Sequence, residues 1–417
     1  MNVYKFGGAS VKDATNVKNV CRVLKTVGYE NSLIIASAMG KNTNALEVVV
    51  YNYFHDKQAI TEAIQPVREF HYALLDDLFK SEEHPVYKSV HSLFEEMELF
   101  LNTNKSPNYN FVYDQVVCYG ELLSTTLLHY YLIDCGIPNI WIDARTLIKT
   151  NTTYRDALVD WEATNKAILE NITDKQLYIT QGFIGSDSNG FSTTLGREGS
   201  DYTAAIFGNI LHAKSVTIWK DVPGVLNADP RYFEDTILLQ HISYQEAIEL
   251  AYYGASVIHP KTLQPLQQKE IPLYVKSFLN PTLAGTEVSK GAALQPAVPC
   301  YIVKKNQLLI SLSAKDFSFI MEENISDIFK LFHEYHIKVS VIQNSAISFS
   351  VCVEDKFHHF QELREHLSSQ FRVSYNENVS LYTIRHFDSF ETIPSLQNKT
   401  LLLKQVNRET MQLVVKE

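Results

Sequence analysis

Short runs of apolar and β-branched residues punctuate the first two thirds of the chain, at Asn2–Phe6, Ser32–Ala36, Gln176–Thr180, Ser215–Trp219 and Ile271–Val275, with helix-length segments between them. Strands spaced in this way predict βαβ units around a mostly buried, mainly parallel sheet. Several runs lead into loops rich in Gly, Ser and Thr: Gly7-Gly8-Ala9-Ser10, Ser37-Ala38-Met39-Gly40 and Gly182-Phe183-Ile184-Gly185. Loops so placed lie at the carboxyl ends of strands, where an open α/β sheet binds its ligands. Between residues 50 and 110 the pattern is helical. There Val90, Leu93, Phe94, Met97 and Phe100 recur at three- and four-residue spacing and predict a cover beside the sheet.

The period changes after about residue 290. Leu308–Ala314 alternates, with Ile310, Leu312 and Ala314 on one face and Ser311 and Ser313 on the other, and Ile347–Val353 does the same. Both read as half-buried antiparallel strands. Ile325, Ile328, Phe329 and Phe332 mark an amphipathic helix between them; a second helix is predicted over Lys356–Ser368 and a strand at Phe371–Tyr375. The order β-α-β-β-α-β is that of a small ferredoxin-like α+β unit. Beyond it, strands near Val379–Arg385, Thr400–Lys404 and Met411–Val415 predict a strand-rich addition without a clear helix of its own.

Length and composition narrow the class. A chain of 417 residues predicts two or three folding units, and 45% hydrophobic with 20% charged residues excludes disorder, collagen and coiled coil. Lys+Arg 37 against Asp+Glu 47 gives a net charge of −10, without the basic footprint of a nucleic-acid or anionic-membrane binder. Any bound phosphate must therefore meet a local site. The five cysteines are scattered and include no CxxC, which argues against a disulfide framework or a zinc site and fits a reducing, cytoplasmic setting. The N-terminus lacks a signal-peptide layout, and no stretch reaches the ~18 apolar residues of a membrane span.

Four segments carry candidate chemistry. In Lys5-Phe6-Gly7-Gly8-Ala9-Ser10 a lysine ends a strand before two glycines and a hydroxyl; backbone N–H groups can then approach phosphate oxygens while the lysine supplies charge. The alternative is a tight turn with a solvated lysine. Met39-Gly40-Lys41-Asn42-Thr43 is not a P-loop, because Ile35 stands where its first glycine is required. The run Thr193–Tyr202 sets Arg197, Gly199, Ser200 and Asp201 before a small-residue helix expected over Thr203–Leu211. It suits carboxylate or phosphate binding at a helix N-terminus, or a helix start capped by Ser200 or Asp201. Trp219-Lys220-Asp221-Val222-Pro223-Gly224 and the following Asn227–Arg231 could hold a nucleotide or form a long connection.

Together these segments resemble the aspartate kinases of the amino acid kinase superfamily: Lys5–Ser10 with Val11, Ser37–Asn44, Gly120-Glu121-Leu122-Leu123-Ser124, Gly182–Gly185, Thr193–Tyr202, Trp219–Arg231 and Gly254–Thr262 with His259-Pro260. The motifs keep the family's order and cover almost the whole chain. The resemblance implies a three-layer αβα kinase domain over residues 1–290 and an ACT-type regulatory region over 298–417, with one complete βαββαβ unit at about 305–376 and a truncated, strand-rich second unit at about 377–417.

The implied reaction transfers the γ-phosphoryl group of ATP to the side-chain carboxylate of L-aspartate, giving 4-phospho-L-aspartate, the first step toward lysine, threonine and methionine. Lys5 would neutralise the transferring group, oriented by Asp201, while Gly7, Gly8 and Ser10 cradle phosphate. Arg197 would clamp the α-carboxylate, Glu121 hold the α-ammonium, and Ser37 and Thr43 contact aspartate. Lys220, Asp221, Asn227 and Arg231 would line the ATP site, with Mg²⁺ held by phosphates and water and no protein metal centre. The ACT region implies a homodimer or larger assembly and an amino-acid effector, lysine or threonine, near Gln343 and Asn344. Ser256 stands where many relatives carry a lysine, and Ser340 where lysine-inhibited relatives commonly carry an aspartate. Rival readings are a kinase for another small acid, such as acetylglutamate, and a catalytically silent amino-acid sensor.

Overall fold

The computed structural model describes residues 1–173, 175–255, 258–316, 318–387 and 399–416. The chain divides into one unit of Met1–Val225, Leu238–Ile248 and Val257–Leu294, and a second of Leu226–Ile237, Glu249–Ser256 and Gln295–Glu417. Among the described residues no helix is long and apolar enough to cross a membrane.

The first unit is built on strands β1 (Asn2–Phe6), β2 (Ser32–Ala36), β3 (Ile140–Trp141), β4 (Leu177–Gln181), β7 (Ser215–Lys220), β8 (His241–Ser243), β9 (Leu273–Ser277) and β10 (Thr286–Ser289). They form one sheet in the order β3-β4-β2-β1-β7-β9-β10-β8. Neighbours run parallel except β9 and β10. β5 (Ile184–Ser186) and β6 (Ser192–Thr194) form a separate antiparallel hairpin. Every residue of β2 and β4 is buried, as their continuous apolar runs require of strands covered on both faces.

The covering helices are α1 (Ala14–Val27), α2 (Asn42–His55), α3 (Ile60–Leu78), α4 (Pro85–Thr103), α5 (Tyr109–Asp134), α6 (Ala144–Leu147), α7 (Trp161–Asn171) and α8 (Gly199–Ile210), with α9 (Tyr244–Tyr253) and α10 (Pro260–Gln268) later in the chain. α4 carries the expected stripe: Val90, Phe94 and Met97 are fully buried. α5 is buried all round from Val112 to Leu128, the mark of a central helix. α8 starts a turn earlier than its small-residue run suggested. Its N-cap, Glu198, is left-handed at φ 54° and offers no side-chain cap, so Ser200 and Asp201 fall inside the first turn instead of capping it.

Register sets the ends of the strands level. Phe6 lies opposite both Ala36 and Trp219, and Ala36 opposite Gln181. The loops after β1, β2, β4 and β7 therefore leave the sheet along one edge.

The second unit is an antiparallel sheet of β11 (Cys300–Ala314), β12 (Lys338–Asn344), β13 (Ser348–Glu354), β14 (Phe371–Arg385), β15 (Thr400–Val406) and β16 (Thr410–Lys416), in the order β12-β13-β11-β14-β16-β15. Helices α11 (Glu322–Glu334) and α12 (Phe360–Gln370) bury Ile328, Phe332, Leu363 and Leu367 against Ile310, Leu312, Phe349 and Val351. The run Leu308–Ala314 is thus only half of a strand. Its first half, Cys300–Lys304, pairs with Leu381–Arg385, which also pair with β16. Between the halves the register shifts twice, and Asn306 in β11 and Asn378 in β14 both take φ 56°. Each long strand thus carries one extra residue at a bulge, and the two offsets cancel.

Candidate active site

Lys5 occupies the face of β1 that meets α8. Its Nζ lies 2.6 Å from Asp201 Oδ1, and both side chains are nearly buried, at 10% and 4% exposure. Lys220, ending β7, places its Nζ 4.0 Å from Asp201 Oδ2. Two cations therefore converge on one carboxylate in the first turn of α8, where the helix dipole favours negative charge. The first N–H groups of α8 carry no side-chain cap. An arriving anion would meet two ammonium groups and a helix N-terminus together.

The loops after the strands are tied to one another through their backbones. Ser37 N–H donates to Phe6 O at 3.1 Å, Gly40 N–H to Gly8 O at 3.1 Å, and Gly182 N–H to Ala36 O at 3.0 Å. Ser10 Oγ donates to Trp219 O at 3.3 Å, which leaves that hydroxyl engaged with β7. Gly8 is required by crowding, because a Cβ there would sit 2.8 Å from Ala38 O. Gly182 is tighter still: a Cβ would stand 2.5 Å from Ser200 Cβ, so the β4 loop and the start of α8 touch only because a side chain is missing.

Glu121 faces the Ser37 loop from the middle of α5. Its Oε1 accepts from Ala38 N–H at 3.2 Å, while Oε2 is buried without a hydrogen-bond partner among the described residues. Burial pushes its carboxyl up to about 8, against the hydrogen bond from Ala38. One turn on, Ser124 Oγ donates to Ser37 O at 2.7 Å. Thr43 lies in the first turn of α2, the helix that follows this loop.

Other expected residues are placed less tightly. Arg197 is exposed on the loop between β6 and α8, and Asp221 is exposed after β7. Asn227 and Arg231 belong to the second unit. There Asn227 Oδ1 accepts from Ile237 N–H at 2.7 Å and its Nδ2 donates to Pro299 O at 2.9 Å, a loop-bracing role. Arg231 is paired at 2.6 Å with Asp229. Gln343 and Asn344 end the edge strand β12 and are exposed. Ser256 lies outside the described residues.

Sequence reasoning missed Asp114. Buried in α5, it accepts from Thr194 N–H and Thr194 Oγ1, each at 2.8 Å, and from Arg155 N–H at 3.0 Å. It anchors β6 immediately before the Arg197 loop. Burial raises its carboxyl to about 6, partly opposed by those hydrogen bonds. Its spacing of seven residues from Glu121, two turns along one helix face, was the available signal.

A flush edge of parallel strands, glycine-shaped loops and a buried lysine–aspartate pair at a helix N-terminus stand together in the first unit as its candidate anion-binding site. The chain belongs to the amino acid kinase family, whose sequence pattern matches residues 1–277. Its relatives are aspartokinases. It is 30% identical over 357 residues to lysine-sensitive aspartokinase 3 of Escherichia coli, covering 84% of this chain and 78% of that protein. To the bifunctional aspartokinase/homoserine dehydrogenase 2 of Arabidopsis thaliana it is 29% identical over 385 residues, 89% of this chain and 42% of that one, so it spans less than half of that relative. The crystal structure of E. coli aspartokinase III in complex with aspartate and ADP superposes with a TM-score of 0.81 at 26% identity, covering 100% of this chain and 96% of that one.

Proposed function

We propose that the protein is an ATP-dependent aspartate kinase, phosphorylating the side-chain carboxylate of L-aspartate. The observation that carries this reading is Glu121: a buried carboxyl with one oxygen unpartnered, beside the loop that follows β2. A buried group of that kind calls for a cation, and the α-ammonium of an amino acid supplies one. An N-acylated acid would leave it unsatisfied, which disfavours an acetylglutamate-type substrate.

The chemistry asks little of the protein beyond placement. An aspartate side chain is already a carboxylate at neutral pH, so no base has to remove a proton; positioning and charge neutralisation carry the reaction. Lys5 stabilises the charge of the transferring phosphoryl group, and Asp201 holds the Lys5 ammonium at 2.6 Å in its working position. Gly7 and Gly8 bring backbone donors to the phosphates and Ser10 its hydroxyl, which without ligand donates to Trp219 O at 3.3 Å. Arg197, unpaired with any described residue, is free to clamp the α-carboxylate, while Ser37 and Thr43 border the substrate. Lys220 and Asp221 face the nucleotide; roles for Asn227 and Arg231 there rest on family resemblance. Mg²⁺ would be held by nucleotide phosphates and water and would supply further charge neutralisation. That fits a site whose buried carboxylate, Asp201, is already engaged by Lys5.

We assign the catalytic domain to residues 1–290 and a regulatory region to 298–417, and propose a homodimer that responds to an amino-acid end product. The name of the lysine-sensitive E. coli relative favours lysine. Acyl phosphate trapped with hydroxylamine, in mixtures of Mg-ATP with L-aspartate or N-acetyl-L-aspartate, tests the reaction. Product with aspartate alone is expected; product with the acetylated acid, or with neither, would overturn the assignment.

A further inference from the structure

Arg197 is carried by a loop that owes its placement to α5. The hairpin from which that loop leaves is short, with three residues in each of β5 and β6, and a pair of strands of that size is marginal without further partners. Two neighbouring side chains of α5 supply them. Gln115 completes Ser192 as an adjoining strand would: its Nε2 donates to Ser192 O at 2.7 Å and its Oε1 accepts from Ser192 N–H at 3.0 Å. Asp114, fully buried, completes Thr194 by accepting from its N–H and its Oγ1, and accepts from Arg155 N–H as well. The segment that supplies Arg155 then closes on the same place. Ala157 N–H donates to Thr194 O at 2.9 Å, and a Cβ on Gly196 would stand 2.5 Å from Asp156 Oδ1.

One carboxylate thus gathers the two chain segments that bracket Gly196. Three donors aimed at one group suit an ionised carboxylate, which only accepts. Arg197 follows Thr194 closely and stands immediately before Glu198, the left-handed N-cap of α8, so its backbone is fixed from both sides while its side chain stays exposed. Glu121 lies two turns further along the helix that carries Asp114. We propose that Asp114 is a positioning residue for aspartate binding: through Thr194 and Arg155 it sets the Arg197 loop where the guanidinium meets the α-carboxylate of the substrate. α5 then fixes the placement of both groups that recognise the amino-acid end, Glu121 directly and Arg197 through Asp114. The inference rests on the aspartate kinase reading and adds to it a group that never touches substrate.

Steady-state kinetics on the full chain, with L-aspartate and ATP varied in turn, test this in Asp114→Ala, Arg197→Ala and the double variant. Asp114→Ala should raise the KM for aspartate about tenfold, with much smaller effects on kcat and on the KM for ATP, and should add little once Arg197 is alanine, because both changes remove the same contact. Asp114→Asn should recover most of the loss, since its amide oxygen still accepts from the two N–H groups and its amide N–H can donate to Thr194 Oγ1. If Asp114→Ala fails to fold, Thr194→Val decides the matter, because it removes one hydrogen bond and leaves the carboxylate paired. A rise of about threefold in the KM for aspartate is expected there, and none when Arg197 is already alanine. Effects that multiply in full in the double variants, equal rises in both KM values, or an unchanged KM for aspartate in the folded single variants would overturn the inference and leave the aspartate kinase reading standing. A parent enzyme without aspartate-dependent turnover would overturn both.

Discussion

Lys5 of β1 and Asp201 of α8, 196 positions apart in the chain, meet at 2.6 Å with almost no solvent access. A pair so buried is costly to break, because removing one partner leaves an uncompensated charge worth about 3–5 kcal/mol. Lys5→Met should therefore abolish turnover and also lower the unfolding midpoint, with Lys220 at 4.0 Å from Asp201 softening the loss. The double variant Lys5→Met/Asp201→Asn should regain most of the stability and none of the activity. Stability that stays low in the double variant would contradict this account.

Glu121 links substrate binding to protons. With its carboxyl pushed up to about 8, the free enzyme holds a proton there at pH 7, and an arriving ammonium favours the ionised form, so aspartate binding should release close to one proton. Calorimetry in buffers of different ionisation enthalpy would read this release. It should fade above about pH 9 and be absent in Glu121→Gln.

The same group shapes stability. Its folded value lies above the ordinary 4.5, so the folded chain binds the extra proton, and stability from this group falls as pH rises between about 4.5 and 8. The slope is at most about 1.4 kcal/mol per pH unit. Denaturant titrations of Glu121→Gln should show a flatter profile across that window than the parent.

Arg197 is exposed on its loop, so its removal should disturb binding more than folding. A lost charged contact of about 1.5–3 kcal/mol corresponds to roughly a 10- to 100-fold rise in the KM for aspartate in Arg197→Ala, with the KM for ATP nearly unchanged. Steady-state kinetics with each substrate varied in turn would decide it.

Gly182→Ala should be disproportionately damaging for one added methyl. With Ser200 only 2.5 Å away, the helix that carries Asp201 would have to shift. A drop of several degrees in the melting midpoint and a lower kcat are expected.

Much of this was legible in the sequence, for identifiable reasons. β1 and β2 coincide with their apolar runs because strands covered on both faces are mostly apolar and give way sharply to polar and glycine-rich turns. The start of α8 was misplaced because Glu198 enters it left-handed, a conformation that no propensity assigns to glutamate. The hairpin of β5 and β6 was hidden in what looked like a glycine loop, since β6 is held to α5, far away in sequence, through Asp114 and Gln115. The family resemblance assigned Asn227 to the nucleotide, and in the structure its amide braces Ile237 N–H and Pro299 O. The charge partner of Lys5 and the backbone partner of Glu121 depend on α8 and α5 crossing the strand ends, which periodicity alone cannot specify.

The matched bulges at Asn306 and Asn378 constrain how this chain can change length. Each displaces its strand by one position and the partner strand restores the alignment, so deleting either residue alone would slip one half of the sheet against the other, turning Ile310 and Leu312 away from their helices or else exchanging the two buried faces around Leu381 and Val414. Deleting both would keep every inward face inward. In homologous chains, single-residue gaps at these two places should therefore occur together or not at all.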